Sequence, residues 1–468
     1  MKIEIAYLAI LTNIFYSKVY AQSERPNIVF ILADDLGATD LGCYGSDFYE
    51  TPQINRMASQ GILFKYAYAA GANSAPSRAC LISGLYSPRH GIYTVSPSDR
   101  GDKSQRRLIP IANKEDLATS FTTIAESIGL SGYECAHIGK WHLGDDTEKT
   151  GPLFQGFNVN IGGSKIGNPY SYYYPYCNKK ESKCMVALEK GTNGEYLTDR
   201  LTQEAKKFIL NRDHSRPFFL YLSHYAVHTP LTAPQLLINK YKQKVPGKYH
   251  SNPTYAAMIE KLDQSVGEIN NLLDSLDLTN NTIFIFTSDN GGTNFSTSNL
   301  PLRGEKGTPY EGGIRVPLII RYPQKVKPNT TCDIPVINID FYPTLTEEAK
   351  GVCPKDLDGT NIFRLIEKKT KVARNLFWHF PAYLESYKTN GFRATPYSII
   401  RSGDWKLIYF YETHQSELYN IKDDNSETQN KASKNKNKRK ELESKLFEWL
   451  KNTHAAIPKD NNPAYIKR

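Results

Sequence analysis

Three runs along the chain are apolar at nearly every position instead of alternating. Asn27-Ile28-Val29-Phe30-Ile31-Leu32-Ala33 ends in Asp34-Asp35, and Phe218 to Ser223 (FFLYLS) is followed by His224 and His228. Thr282 to Thr287 (TIFIFT) ends in Ser288-Asp289-Asn290-Gly291-Gly292. A strand without a polar face is buried on both sides, as in a parallel sheet covered by helices. Apolar residues at helical spacing predict helices over Thr119 to Ile128, Leu197 to Leu210 and Thr254 to Leu276. Strand, polar loop and helix in alternation predict an α/β fold with a mainly parallel sheet flanked by helices. Ligands bind such sheets beyond the carboxyl ends of the strands, which is where the Asp pairs and histidines fall.

The pattern changes after about residue 370. Ser398 to Ile400 and Trp405 to Tyr411 read as short strands joined by a turn at Gly403-Asp404, and Glu417 to Ile421 as another. Leu442, Leu446, Trp449 and Leu450 then recur at helical spacing. Residues 371–468 are expected to form a smaller C-terminal α+β domain, an antiparallel sheet plus a terminal helix. It packs on a large domain spanning 22–370. Tyr170 to Tyr176 (YSYYYPY) reads as a loop whose rings could stack on sugars.

Residues 1–21 read as a cleaved signal peptide: Lys2, an apolar stretch from Ile5 to Tyr16, then Val19-Tyr20-Ala21 before Gln22. The stretch is too short to span a bilayer comfortably, and no later segment qualifies, so no membrane span is expected. Export to the periplasm or the medium follows. The formal net charge of +10 favours a polyanionic partner. No nucleic-acid motif is present, and a sulfated glycan is an equally good polyanion. Much of the excess sits in Lys431 to Lys440, a solvated run, while Arg100, Lys103, Arg106 and Arg107 form a second basic stretch open to extra sulfates. The 7 cysteines include no CxxC pair, which argues against a thiolate zinc site. Cys177 with Cys184 and Cys332 with Cys353 are candidate disulfides.

Two acidic pairs, Asp34-Asp35 and Asp289-Asn290, end two of the buried strands. Brought together they offer four oxygen-bearing side chains, which select a hard cation such as calcium or magnesium. Ser74-Ala75-Pro76-Ser77-Arg78-Ala79-Cys80-Leu81-Ile82-Ser83-Gly84 is a small-residue loop entering a helix. A serine there either caps the helix or is a nucleophile set against helix-end N–H groups, with Arg78 one turn on to neutralise an anion.

Residues 74–84 match the signature of the type I sulfatases of the alkaline phosphatase superfamily: Cys or Ser, any residue, Pro, Ser-Arg, then Ser-Gly or Thr-Gly. The chain resembles that family over nearly its whole length. Further matching segments are Gly139-Lys140-Trp141-His142-Leu143-Gly144, His228-Thr229-Pro230 and Arg303-Gly304-Glu305-Lys306-Gly307. Tyr310-Glu311-Gly312-Gly313 and Asp404-Trp405-Lys406-Leu407 follow.

The resemblance implies an alkaline-phosphatase-like sheet and a sulfuric ester hydrolase acting on a sulfated glycan. It implies one calcium ion bound by Asp34, Asp35, Asp289 and Asn290, with Ser74 beside it. Ser74 would be oxidised to formylglycine by a radical-type maturase, since serine stands where other members have cysteine. The hydrated aldehyde has two hydroxyls, one to take the sulfate and one to expel it; plain serine would stay sulfated. Arg78 and Lys140 would hold the nucleophile, and His142 would assist aldehyde collapse. His228 and Lys306 would bind sulfate and protonate the leaving oxygen. His379, in Trp378-His379-Phe380-Pro381, is a candidate substrate contact. The rival readings are a phosphonate or phosphate ester hydrolase of the same superfamily, or an inactive glycan-binding homologue.

Overall fold

The computed structural model describes residues 25–180, 182–367 and 374–467. The expected signal peptide and the expected boundary at 370/371 lie outside the described residues. All three apolar runs form the centre of one eight-stranded sheet. Asn27–Ala33 pairs in parallel with Phe218–Ser223 on one side and Thr282–Ser288 on the other. Beyond Phe218–Ser223 lie Glu134–Gly139 and Val159–Ile161, both parallel. Beyond Thr282–Ser288 lies Leu318–Arg321, which runs antiparallel to it, followed by Ile62–Phe64 and Thr330–Cys332.

Successive residues of a strand face opposite sides, so the central strand feeds two cores. Val29 and Ile31 pack with the helices Leu197–Asn211 and Pro253–Ser275, through Leu201, Leu262 and Val266. Ile28, Phe30 and Leu32 pack on the other face with residues of the helices Ser74–Ser83 and Phe341–Glu348. The helix expected from Thr119 begins only at Ile124. Thr123 and Glu126 form a reciprocal capping box that satisfies the first free N–H groups and fixes the start there.

The C-terminal part is a four-stranded antiparallel sheet in the order Asn375–Phe380, Tyr397–Ser402, Trp405–Phe410, Gln415–Asn420. The helix Lys436–Asn452 buries Leu442, Leu446 and Leu450 against Ile400, Leu407 and Leu418. A short ribbon, Leu384–Glu385 with Phe392–Ala394, stands apart from this sheet. One buried ion cluster ties the C-terminal sheet to the short helix Glu311–Ile314. Lys406 Nζ, in the C-terminal sheet, lies 3.0 Å from Glu311 and 2.8 Å from Glu427, and Glu311 also holds Arg315. These opposite charges keep the Glu311 carboxyl well below its usual range despite complete burial.

Cys177 and Cys184 form a disulfide, whereas Cys332 and Cys353 are free thiols, so the second candidate pairing is corrected. The Tyr-rich segment is a loop, but Tyr172 and Tyr176 are buried in it. The Tyr172 hydroxyl donates to the carbonyls of Tyr225 or His228, each 2.7 Å away, so it braces the loop that carries His228. Among the described residues no helix is long and apolar enough to cross a membrane.

Candidate active site

Four neighbouring parallel strands end at one edge of the sheet. Each delivers its following residues to that edge: Asp34 and Asp35, Asp289 and Asn290, Lys140, and the loop reaching His228. Ser74 and Arg78 come from the helix Ser74–Ser83, every residue of which is buried. Lys306 comes from the loop before Glu311–Ile314.

Ser74 is 1% exposed. Its Oγ lies 3.3 Å from Asp34 Oδ1, 3.2 Å from Asn290 Oδ1 and 3.3 Å from Lys140 Nζ. Lys140 Nζ also donates to both oxygens of Asp34, at 2.9 and 2.8 Å. Arg78 Nε donates to Asp289 Oδ2 at 2.9 Å, and Nη1 to Ser223 Oγ at 2.5 Å. Asn290 Nδ2 donates to Asp35 Oδ1 at 2.8 Å, which pins the two acidic pairs against each other. Lys306 Nζ lies 2.6 Å from Asp35 Oδ1, and His228 Nε2 lies 3.6 Å from Asp35 Oδ2. Thus nine residues singled out from sequence (Asp34, Asp35, Ser74, Arg78, Lys140, His228, Asp289, Asn290 and Lys306) fall in one network of hydrogen bonds and ion pairs.

Asp35 and His142 both take left-handed backbone conformations, with φ of 62° and 65°. Non-glycine residues seldom do so, and such positions gather at functional sites. His142 is within electrostatic reach of Lys140, Arg78 and Lys306; burial, then those cations, pushes its ring well below the usual histidine range. Its buried Nδ1 has no hydrogen-bond partner among the described residues.

Burial is the largest influence on every carboxylate here, and the cations decide the outcome. Asp34 rises to about 7, because burial and the neighbouring Asp289 and Asp35 outweigh Lys140. Asp35 and Asp289 stay low because Lys306 and Arg78, respectively, overcome burial. Burial lowers Lys140, whereas Asp35 and the other carboxylates raise Lys306 and keep it charged. His228 is lowered to about 4, chiefly by burial, against the pull of Asp35. Its Nδ1 lies 2.7 Å from the Thr229 carbonyl, which can only accept. The ring proton therefore sits on Nδ1, leaving Nε2 as a bare acceptor facing Asp35.

The donor set suits a hard cation. Three buried carboxylates and an amide oxygen converge, an all-oxygen set of the kind hard cations take. Asp34, Asp35 and His228 can also bring one ligand atom each within 4.8 Å of one another, so a nitrogen borders the oxygen cluster.

His379 does not behave as a substrate contact. It is 4% exposed, its Nε2 donates to the Ala456 carbonyl at 2.9 Å, and its Nδ1 meets Ser398 Oγ at 2.8 Å. Both ring nitrogens are used, and the residue fastens the C-terminal sheet to the segment after the last helix. Two residues of the basic stretch are committed elsewhere: Arg100 pairs with Glu385, and Arg107 stacks over Tyr465. His224 binds Ser265 Oγ at 2.9 Å and is structural, as is Cys80, which contacts His90. Ser223, which orients Arg78, escaped notice in the sequence; its signal was a polar residue closing an apolar strand.

Comparison with known proteins adds family to geometry. The family model described as "Sulfatase" matches residues 26–352, and that described as "N-sulphoglucosamine sulphohydrolase, C-terminal" matches 305–456. A sulfatase of Formosa agariphila is 34% identical, covering 92% of this chain and 89% of that protein. An N-acetylgalactosamine-6-O-sulfatase of Bacteroides thetaiotaomicron is 31% identical, covering 71% and 74%. The crystal structure of Ps i-CgsB in complex with k-i-k-neocarrahexaose superposes with a TM-score of 0.75 at 28% identity, covering 95% of both chains. With a family match over most of the chain and a serine buried among cations at the carboxyl edge of the sheet, the chain belongs to the sulfatase family, the hydrolases of sulfuric esters.

Proposed function

We propose that this enzyme removes sulfate from a sulfated carbohydrate, with Ser74 oxidised to formylglycine by a radical-type maturase and one calcium ion held by Asp34, Asp35, Asp289 and Asn290. The observation that carries this reading is the position of Ser74 Oγ, within 3.3 Å of Lys140 Nζ and of oxygens from both acidic pairs. When present, the hydrated aldehyde supplies one hydroxyl to take sulfate and one to release it, and calcium supplies charge that stabilises the transferring oxyanion.

The chain's own residues do the rest. Arg78 is locked by Asp289 and Ser223, so its charge is fixed without reorganisation. Lys140 holds a proton beside the nucleophile oxygen. Lys306, kept protonated by Asp35, is the group able to give a proton to the leaving oxygen, and His228 helps bind the sulfate. His142 is neutral, with an unpartnered nitrogen suited to take a proton. Sugar as the substrate class draws support from the relatives named above, and export from the expected signal peptide.

The test is the mass of the tryptic peptide Tyr66 to Arg78 after co-production with a serine-type maturase that works on a control substrate. Loss of two hydrogens at Ser74, together with sulfate release from sulfated oligosaccharides, is expected. An unmodified Ser74 beside a converted control would sink the mechanism.

A further inference from the structure

The C-terminal sheet is covered on both faces. Ile399 and Ile408 pack toward the large domain, with Ala70 and Ile314, whereas Ile400, Leu407 and Leu418 face the helix Lys436–Asn452. Where that helix ends lies a groove of about 770 Å³. Phe447, Lys451 and His454 reach it from the helix end, Tyr409 and His414 from the hairpin, and Lys459 from the tail. Among the described residues, the lining holds no member of the reacting network and no Asp or Glu. The tail wall is fixed in place: the Ile109 N–H donates to the Asp460 carbonyl at 2.8 Å, and the Asn462 N–H to the Arg107 carbonyl at 2.9 Å.

The groove joins exposed aromatic surface to exposed cations. Phe447 is 43% exposed, and Tyr409 packs edge-on to it with ring centroids 5.0 Å apart. Lys451 and Lys459 are exposed, and neither is in an ion pair among the described residues. Glu412, next to Tyr411 of the lining, is engaged elsewhere: it accepts from the Tyr383 hydroxyl at 2.6 Å and from the Arg107 N–H at 3.0 Å. The histidines are a second observation. His414 and His454 both take left-handed backbone, with φ of 53° and 51°, a conformation that favours glycine. The His454 N–H donates to the Lys451 carbonyl at 3.1 Å and the Ala455 N–H to the Leu450 carbonyl at 2.9 Å, the helix-ending pattern whose usual occupant at position 454 is glycine. Two side chains held at a backbone cost thus meet in one groove, and such positions gather at functional sites.

We propose that this groove is an accessory site that holds a sulfated polysaccharide chain, apart from the site that removes sulfate. The proposal rests on the sulfated-carbohydrate reading above. A sugar ring lays its apolar face on an exposed aromatic such as Phe447. Sulfate esters repeat along a polymer, and the ammonium groups of Lys451 and Lys459 meet them as point charges with no carboxylate in the lining to repel them. A polymer held here is kept at high effective concentration near the enzyme, an advantage that a single sulfated sugar cannot use.

Titration calorimetry on the protein with unmodified Ser74 tests the groove independently of turnover. The probes are a soluble sulfated galactan, the same galactan after desulfation, and polyglutamate. The sulfated galactan is expected to bind, and to bind the double variant Lys451→Glu, Lys459→Glu about ten-fold or more weaker. The charge-matched control Lys434→Glu, Lys436→Glu, in the exposed basic run, is expected to stay within about two-fold of wild type. His454→Gly should melt at or above the wild-type temperature, because glycine suits that backbone, yet bind the galactan more weakly. Phe447→Ala should also weaken binding. Thermal melts confirm folding, and glutamine replaces glutamate at 451 and 459 if the double variant does not fold. A wild type that does not bind, equal loss in both double variants, or equal binding of polyglutamate or the desulfated galactan would overturn the proposal. So would full binding by His454→Gly and Phe447→Ala. Failure of the underlying reading shows separately, as absent sulfate release from matured enzyme.

Discussion

Lys140 Nζ stands between Asp34 and Ser74: it bonds both oxygens of the Asp34 carboxylate at 2.9 and 2.8 Å and lies 3.3 Å from Ser74 Oγ. One ammonium thus joins the acidic cluster proposed to hold a cation to the proposed nucleophile. Replacing it with methionine removes the charge but keeps the volume. We expect kcat to fall about 10²- to 10³-fold, the range for losing one preorganised electrostatic donor. Asp34, already raised to about 7, takes up a proton when its partner goes, so the variant still folds. Steady-state kinetics alongside a thermal melt decide it: activity within ten-fold of wild type would remove Lys140 from the reacting set.

Three buried carboxylates so close together should respond to a divalent ion. Calcium added to chelator-treated protein is expected to raise the melting temperature. At a concentration a hundred-fold above its Kd, it contributes about 2.7 kcal/mol. Elemental analysis should find one calcium per chain. Stoichiometric zinc would instead point to a site completed by His228, whose Nε2 borders the cluster, and would favour the phosphatase-like reading.

His379 tests whether a buried histidine is structural or touches substrate. Burial lowers its folded pKa to about 4, against about 6.5 for the free side chain. A group depressed on folding contributes its stability above the unfolded value and loses it as pH falls toward the folded one. His379→Gln is expected to cost about 1–3 kcal/mol at pH 7.5 through its two hydrogen bonds. The gap to wild type should then narrow by about 1.4 kcal/mol per pH unit between 6.5 and 4. Urea unfolding across that range reads it directly. A gap that does not change with pH, or a variant changed in KM instead, would return His379 to the substrate.

The central strands were legible because they lie between two cores and are apolar throughout. Glu134–Gly139, next to the edge strand, was not, although it delivers Lys140. Its sequence carries His137 in mid-strand, and only the tertiary structure explains that residue, bonded to Asn160 and set edge-on to Trp141 and Phe157. The reacting cluster was readable because its residues sit in matched motifs at strand ends. The hydrogen bonds of His379 were not legible because a strand's face cannot be told from a short aromatic segment: its Nδ1 meets Ser398, its cross-strand partner.

The Lys406–Glu311 ion pair bears on modularity. Glu311 belongs to the stretch matched by both family models, residues 305–352, while Lys406 and Glu427 lie far beyond it. Cutting the chain between these parts would break the buried Lys406–Glu311 pair, leaving Lys406 to Glu427 and Glu311 to Arg315, and would open to water an interface built around shared charge. The C-terminal part is therefore not an exchangeable cassette. A chimera that borrows this region from a relative must import a buried cation for Glu311 and the acid that shares it, and the two sheets should melt in a single transition.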